Sequence, residues 1–212
     1  MKKRNTWLLV LLVPAVVGIS LVVQLAFPVE GWQYWLVRSL SLSGYLLVFL
    51  AVLSSTSLPA MAKTFGRPFV GVHHVATIAG FVAMVAHPFA YSLAIVGSLS
   101  PFLPIYGSLS EVFQWAGRPA LALFIVAVVA ALLRRAFKKG WRLFHLVTYL
   151  AFLLVTVHAN LVGTSFLSSP VVRVVSWLMA ATATVVFVRK RVQRLKAARP
   201  AAAPAAPAAP ST

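Results

Sequence analysis

The stretch Trp141 to Gly163, WRLFHLVTYLAFLLVTVHANLVG, is apolar from end to end apart from two histidines, His145 and His158. It opens on a Trp and an Arg of the kind that anchor a helix at a membrane surface. At a rise of about 1.5 Å per residue, the thirteen residues between the imidazoles set them roughly 20 Å apart along the helix axis. One then falls near each edge of a hydrocarbon layer about 30 Å thick. They cannot share a ligand. A histidine inside a bilayer is expensive to place, so each of these two calls for a partner.

The partners are elsewhere in the chain. The other three of its five histidines, His73, His74 and His87, lie in GVHHVATIAGFVAMVAHPFAY. The spacing nearly repeats: fourteen residues from His73 to His87, thirteen from His74. Two helices thus each offer an imidazole near either membrane face, and two bis-imidazole sites, one above the other, follow. One histidine from each of two facing helices can clamp a heme iron on both axial sides. Zinc is a poorer fit, because it wants four ligands at one level with thiolate or carboxylate support. Packing histidines bonded to neighbours would explain one such residue, but not all five on two helices at matched depths.

The 212 residues are 61% hydrophobic, and the only acids are Glu30 and Glu111. Such a composition predicts an all-α, integral membrane six-helix bundle, with hemes between helices 3 and 5. The net charge of +17 does not point to nucleic acid, since the cations mark short loops rather than a hydrophilic domain. With no cysteine, disulfides, iron–sulfur clusters, thiolate-bound heme and C-x-x-C-H attachment are excluded. Two noncovalent b-type hemes are the expected cofactors.

In chain order, MKKRN precedes an uncleaved first span, Trp7 to Phe27. PVEGWQYWLVRS, Pro28 to Ser39, has the aromatics of an interfacial belt. A second span covers about Leu40 to Leu58, and a loop with Lys63 and Arg67 leads to a third, Phe69 to Val96. Gly97 to Pro119 reads as a loop with a short interfacial helix near Val112 to Trp115. The fourth span, Ala120 to Leu133, needs a few preceding residues to cross. The basic loop RRAFKKGWR, the fifth span, a turn from Gly163 to Pro170 and a sixth span from Val171 to Val188 follow. These give three segments: 1–35, a leader, first span and outer loop; 36–190, the heme-binding transmembrane domain; and 191–212, a basic then Ala/Pro-rich disordered tail.

With both termini cytoplasmic, every Lys and Arg of the 19 falls inside except Arg38, Arg118 and Arg173, as the positive-inside rule requires. Helices three and five are then parallel. His73, or alternatively His74, shares the cytoplasmic level with His145, and His87 shares the outer level with His158.

Helical phase adds two expectations. Fourteen residues fall about 40° short of four turns, so His73 and His87 share a face, which favours His73 over His74. Thirteen fall about 140° short, so the helix carrying His145 and His158 must be distorted or tilted, or its two ligands must approach the hemes from different sides. Pro88, just after His87, should kink its helix by removing a backbone bond and crowding the Met84 carbonyl.

On the residues HHVATIAGFVAMVAH and HLVTYLAFLLVTVH, the chain resembles the ferric reductase-like transmembrane domain family. That family includes ferric reductases, NADPH oxidases and the heme subunit of the periplasmic methionine sulfoxide reductase system. The resemblance covers roughly residues 36–190. It implies six spans, His73, His87, His145 and His158 as heme-iron ligands, and a place in a bacterial inner membrane. Ferric reductases and NADPH oxidases continue into a flavin and nicotinamide module, whereas the stand-alone sulfoxide reductase subunit lacks the inner histidine on helix three. The subfamily stays open.

The function expected is a membrane b-type cytochrome, the membrane component of a reductase system. It passes electrons through two bis-histidine hemes to an acceptor at the outer face. As an oxidoreductase component without its own flavin or NAD(P)H domain, it is expected to need a quinone, or a flavin on a separate flavoprotein, as donor, and not to oxidise NADPH unaided. Partners are then membrane lipid, heme, that donor and the acceptor, with no nucleic acid. A non-catalytic heme-binding or heme-sensing membrane protein is the alternative. A transporter would show inverted repeats and further midplane ionisable groups. Arg67, Arg118, Arg142 and Arg173 lie near the expected boundaries, as anchors or as partners for heme propionates.

Overall fold

The computed structural model describes residues 6–56, 63, 68–137 and 140–197. Its described residues are helical, with no strand. Helix α1 spans Thr6–Ala26, α2 Trp32–Thr56 and α3 Pro68–Tyr91, which runs on through a wider π turn, Ser92–Val96, to Gly97 at φ 70°. A 3-10 turn at Ser100–Phe102 and the short α4, Leu109–Gln114, precede α5, Gly117–Leu132. Then come α6 (Arg134–Phe137), α7 (Trp141–His145), α8 (Val147–Val162), α9 (Thr164–Ser168) and α10 (Pro170–Ala197). Among the described residues, four stretches are long and apolar enough to cross a membrane: Trp32–Ser55, His73–Val96, Trp141–Val162 and Pro170–Gln193. Pro14–Ala26 and Gly117–Leu132 are apolar but shorter.

Several expected boundaries move. The aromatic belt does not precede the second helix but begins it, because Gly31, at φ 85°, turns the chain and α2 starts at Trp32. A division at residue 35 therefore cuts a helix. The first segment is also no separate unit: Gln24 Nε2 donates to Ser39 Oγ at 2.8 Å, and Val16 packs with Leu47 and Ala76. Inside an apolar bundle such polar contacts hold helices together where hydrophobicity alone cannot. The turn at Gly163 to Pro170 contains α9. Helix α3 continues through Pro88 to Tyr91, and its ladder widens only at Ser92. Helix α10 extends to Ala197, into the stretch expected to be a disordered tail. The Ala/Pro end itself, MKKRN and Arg67 lie outside the described residues.

Close approach of α2 and α3 is built on two glycines. A Cβ at Gly44 would come within 2.9 Å of Met84 Cγ, and one at Gly80 within 3.0 Å of Leu47 Cβ and 3.1 Å of the Val48 backbone nitrogen. Small residues at a crossing let membrane helices gain van der Waals contact, which must replace the missing hydrophobic drive. The best-packed layer lies halfway along the bundle. Tyr45, Phe152 and Phe166 are buried together, with Tyr45 stacked on Phe152 at 5.1 Å and edge-on to Phe166 at 5.4 Å. Tyr45 Oη donates to the Ser176 carbonyl at 3.2 Å and shares a 3.0 Å hydrogen bond with Thr156 Oγ1. Asn160 Nδ2 donates to Ser176 Oγ at 2.9 Å, so α2, α8 and α10 are tied at this level.

Candidate functional site

The continuous helix α3 carries His73, His74 and His87, so fourteen residues at about 1.5 Å each put His73 and His87 roughly 21 Å apart. His145 closes α7, and His158 lies near the end of α8. His73 and His145 line one cleft together, and His145 acts electrostatically on His73. His158 acts in the same way on His87. The four imidazoles are thus brought together as two pairs. His74 is exposed, with its ring 5.8 Å from that of His73, and does not line the cleft.

Three of the four rings are turned the same way. His87 Nδ1 lies 3.1 Å from the Val37 carbonyl oxygen, and His158 Nδ1 lies 2.6 Å from that of Gln114. A carbonyl only accepts, so Nδ1 carries the proton in both rings and Nε2 keeps its lone pair. His73 Nδ1 lies 2.9 Å from Ser54 Oγ, whose own proton goes to the Ala51 carbonyl at 3.0 Å. The serine oxygen is therefore left as acceptor, and the tautomer is again Nδ1–H. His145 Nδ1 is buried without a hydrogen bond, with the Ala127 carbonyl as the backbone acceptor on that side. Fixing Nδ1 to an acceptor while Nε2 stays free is how proteins present a histidine to a metal.

The phase problem between His145 and His158 has a local cause. The fifth expected helix breaks at Leu146, between α7 and α8. Thr148 Oγ1 donates to the His145 carbonyl at 2.8 Å, while the Tyr149 amide bonds back only three residues, to Leu146, at 3.2 Å. Tight three-residue spacing advances the chain about 120° per residue instead of 100°, which recovers part of the missing rotation.

The end bearing His87 and His158 is closed over by a loop. A Cβ on Gly117 would lie 3.0 Å from His158 Nε2 and Cδ2, so only glycine lets α5 pass the ring. Arg118 donates to the carbonyls of Leu103 and Ile105, and its guanidinium lies 4.4 Å from the Trp115 ring and 5.6 Å from that of Tyr106. It fixes the same loop whose Gln114 carbonyl holds His158. Its Nε is buried without a partner, and its charge reaches His158.

The opposite end is basic and open. Its cleft, about 220 Å³, is lined by Ser55, His73, Trp141, Arg142, His145, Leu146, Tyr149, Phe187, Lys190 and Arg191. Lys190 Nζ donates to the Ser55 carbonyl at 2.8 Å, closing α10 onto α2. Of the expected boundary arginines, Arg118 and Arg142 lie beside histidines, while Arg173 is exposed on α10.

Four participants escape a reading of the sequence: Ser54, Gly117, Thr148 and the Gln114 main chain. Only Gly117, beside Arg-Pro at a helix start, carried a sequence signal. Arg38, counted among the outer-side charges, is 4% exposed; it donates from Nε to Ser165 Oγ at 3.0 Å and from Nη1 to the Phe27 carbonyl at 2.6 Å. Among the described residues no three His, Asp or Glu side chains gather at one point, so any metal held by side chains alone would lack a full coordination shell. Comparison with family models, with curated proteins and with solved structures gives no match.

Proposed function

We propose that this chain is a six-span membrane b-type cytochrome of the ferric reductase-like kind, with both termini cytoplasmic. His73 and His145 would hold one heme at the basic, cytoplasmic level, and His87 and His158 a second at the outer level. The observation that carries this reading is the common orientation of the imidazoles. Three of the four have Nδ1–H committed to an acceptor, leaving Nε2 as the free ligand atom, and the four fall into two pairs about 20 Å apart.

The donor set fits heme better than a bare ion. A porphyrin brings four nitrogens of its own and asks the protein for one on each side. One unpartnered buried group supports the fit: Arg118 Nε, beside His158, is a donor suited to an anionic propionate. Gly117 keeps the approach to His158 Nε2 clear. The bound hemes would supply one-electron chemistry. The chain's own residues orient the ligands, set local charge and keep the middle of the bundle dry. Electrons would arrive from quinol, or from a flavoprotein meeting the basic end, and leave to an acceptor at the outer face.

The test is a pyridine hemochrome assay on purified protein, with oxidised and dithionite-reduced spectra. Two hemes per chain are expected. A ratio near zero removes the proposal, and a ratio near one means that only one level is occupied.

A further inference from the structure

A second, apolar groove of about 230 Å³ adjoins the basic cleft and is lined by Leu146, Tyr149, Leu150, Leu153, Thr184 and Phe187. Leu146, Tyr149 and Phe187 line both spaces, so the two lie side by side. The groove follows α8 from Leu146 to Leu153, about 10 Å at 1.5 Å per residue, and Leu150, 52% exposed, opens it to the surroundings. At its head stand Trp141, Arg142 and Arg191, and both arginines are exposed.

These cations have no acid of their own. The only carboxylates in the chain besides its C-terminus, Glu30 and Glu111, belong to the loop before α2 and to α4, both at the opposite end of the bundle. A site with an apolar trough about 10 Å long, an interfacial tryptophan and uncompensated arginines at its mouth has the polarity of an anionic amphiphile. A neutral lipid or a quinol would fill the trough but leave the charges unmatched.

We propose that this paired groove and cleft is a specific site for an anionic phospholipid of the leaflet at the basic end. One acyl chain lies along Leu150, Leu153 and Thr184, and the phosphate lies between Arg142 and Arg191. Lys190, already tied to Ser55, shapes the mouth of the cleft. The lipid then walls the open side of the His73 and His145 cleft against the bilayer. The inference rests on the bilayer placement of the chain and not on the heme.

The test is native mass spectrometry of the full chain released from nanodiscs that contain equal phosphatidylglycerol and phosphatidylcholine, with heme counted in the same spectra. Wild type should retain one phosphatidylglycerol in preference to phosphatidylcholine. Arg142→Gln with Arg191→Gln should weaken that retention roughly thirtyfold, since each basic residue beside an anionic surface is worth about a factor of five. Thr184→Trp, at an exposed position, should fill the trough and lower retention while both arginines remain. Equal retention of the two lipids, or no change in the double variant, overturns the proposal. So does a double variant that keeps its lipid but loses heme, because the arginines would then serve the porphyrin. A wild type that holds the lipid but no heme would sink the cytochrome reading and leave this one standing.

Discussion

At the far end of the bundle both imidazoles donate to main-chain carbonyls, Val37 and Gln114, and a glycine and an arginine-pinned loop close over them. At the basic end one imidazole leans on a serine hydroxyl, the other has only the Ala127 carbonyl nearby without a well-formed hydrogen bond, and the helix between the levels is broken beside it. Carbonyls within a helix move only if the helix moves, whereas a hydroxyl turns about a single bond. The far pair is therefore held in a fixed frame and the basic pair in an adjustable one. More protein also surrounds the far pair. The two histidine pairs thus sit in different frames, one set by main-chain carbonyls and one in part by a side-chain hydroxyl.

The strongest way to break this comparison is to remove ligands. His87→Ala and His158→Ala should each take heme from two per chain to one and leave a single midpoint in a redox titration, with the survivor identical in both variants. A shared phenotype of His87→Ala and His145→Ala would instead show that the pairs are crossed. Next in size is Gly117→Val, whose side chain meets the His158 ring. Overpacking of this kind costs about 1–3 kcal/mol, so affinity for the far heme alone should fall by a factor of roughly 5 to 150 in a hemin titration. An equal loss at both levels would mean that Gly117 acts on the whole fold.

Ser54→Ala probes the adjustable end. Loss of a hydrogen bond behind a ligating histidine commonly costs 10–100-fold in metal affinity. Because the basic pair can readjust, the expected effect is about tenfold, confined to the heme of His73 and His145, and a change at the far heme would contradict the pairing. The smallest effect belongs to Thr148→Val. Freeing the His145 carbonyl should lower stability by about 1 kcal/mol in thermal unfolding while leaving both hemes bound. Loss of the far heme in this variant would show that the break at Leu146 controls His158 rather than His145.

Helical character, approximate helix positions and the two-level arrangement of His73, His87, His145 and His158 were legible in the sequence, because hydropathy and spacing are properties of the chain alone. What holds the rings was not. Ser54 is 19 residues from His73 and Gln114 is 44 from His158, and no local pattern relates them. The 140° mismatch left distortion, tilt and ligands on different sides all open, and only the structure shows the break at Leu146 beside His145. The burial of Arg38 was not legible either, because a charge six residues inside a helix looks terminal when the helix is taken to start at residue 40. Its burial depends on Phe27 and Ser165, which folding alone brings near.

The layer of Tyr45, Phe152 and Phe166 lies between the two histidine levels, and the Tyr45 hydroxyl is tied to Thr156 and to Ser176, whose own hydroxyl accepts from Asn160. On the proposed path, an electron that crosses this layer without a proton would move net charge. About 20 Å of a 30 Å barrier is worth roughly 1.5 kcal/mol for every 100 mV of membrane potential. With the cytoplasm negative, that field pulls electrons outward. Such a transfer would make the molecule a load on the energised membrane, and turnover would slow when an ionophore collapses the potential.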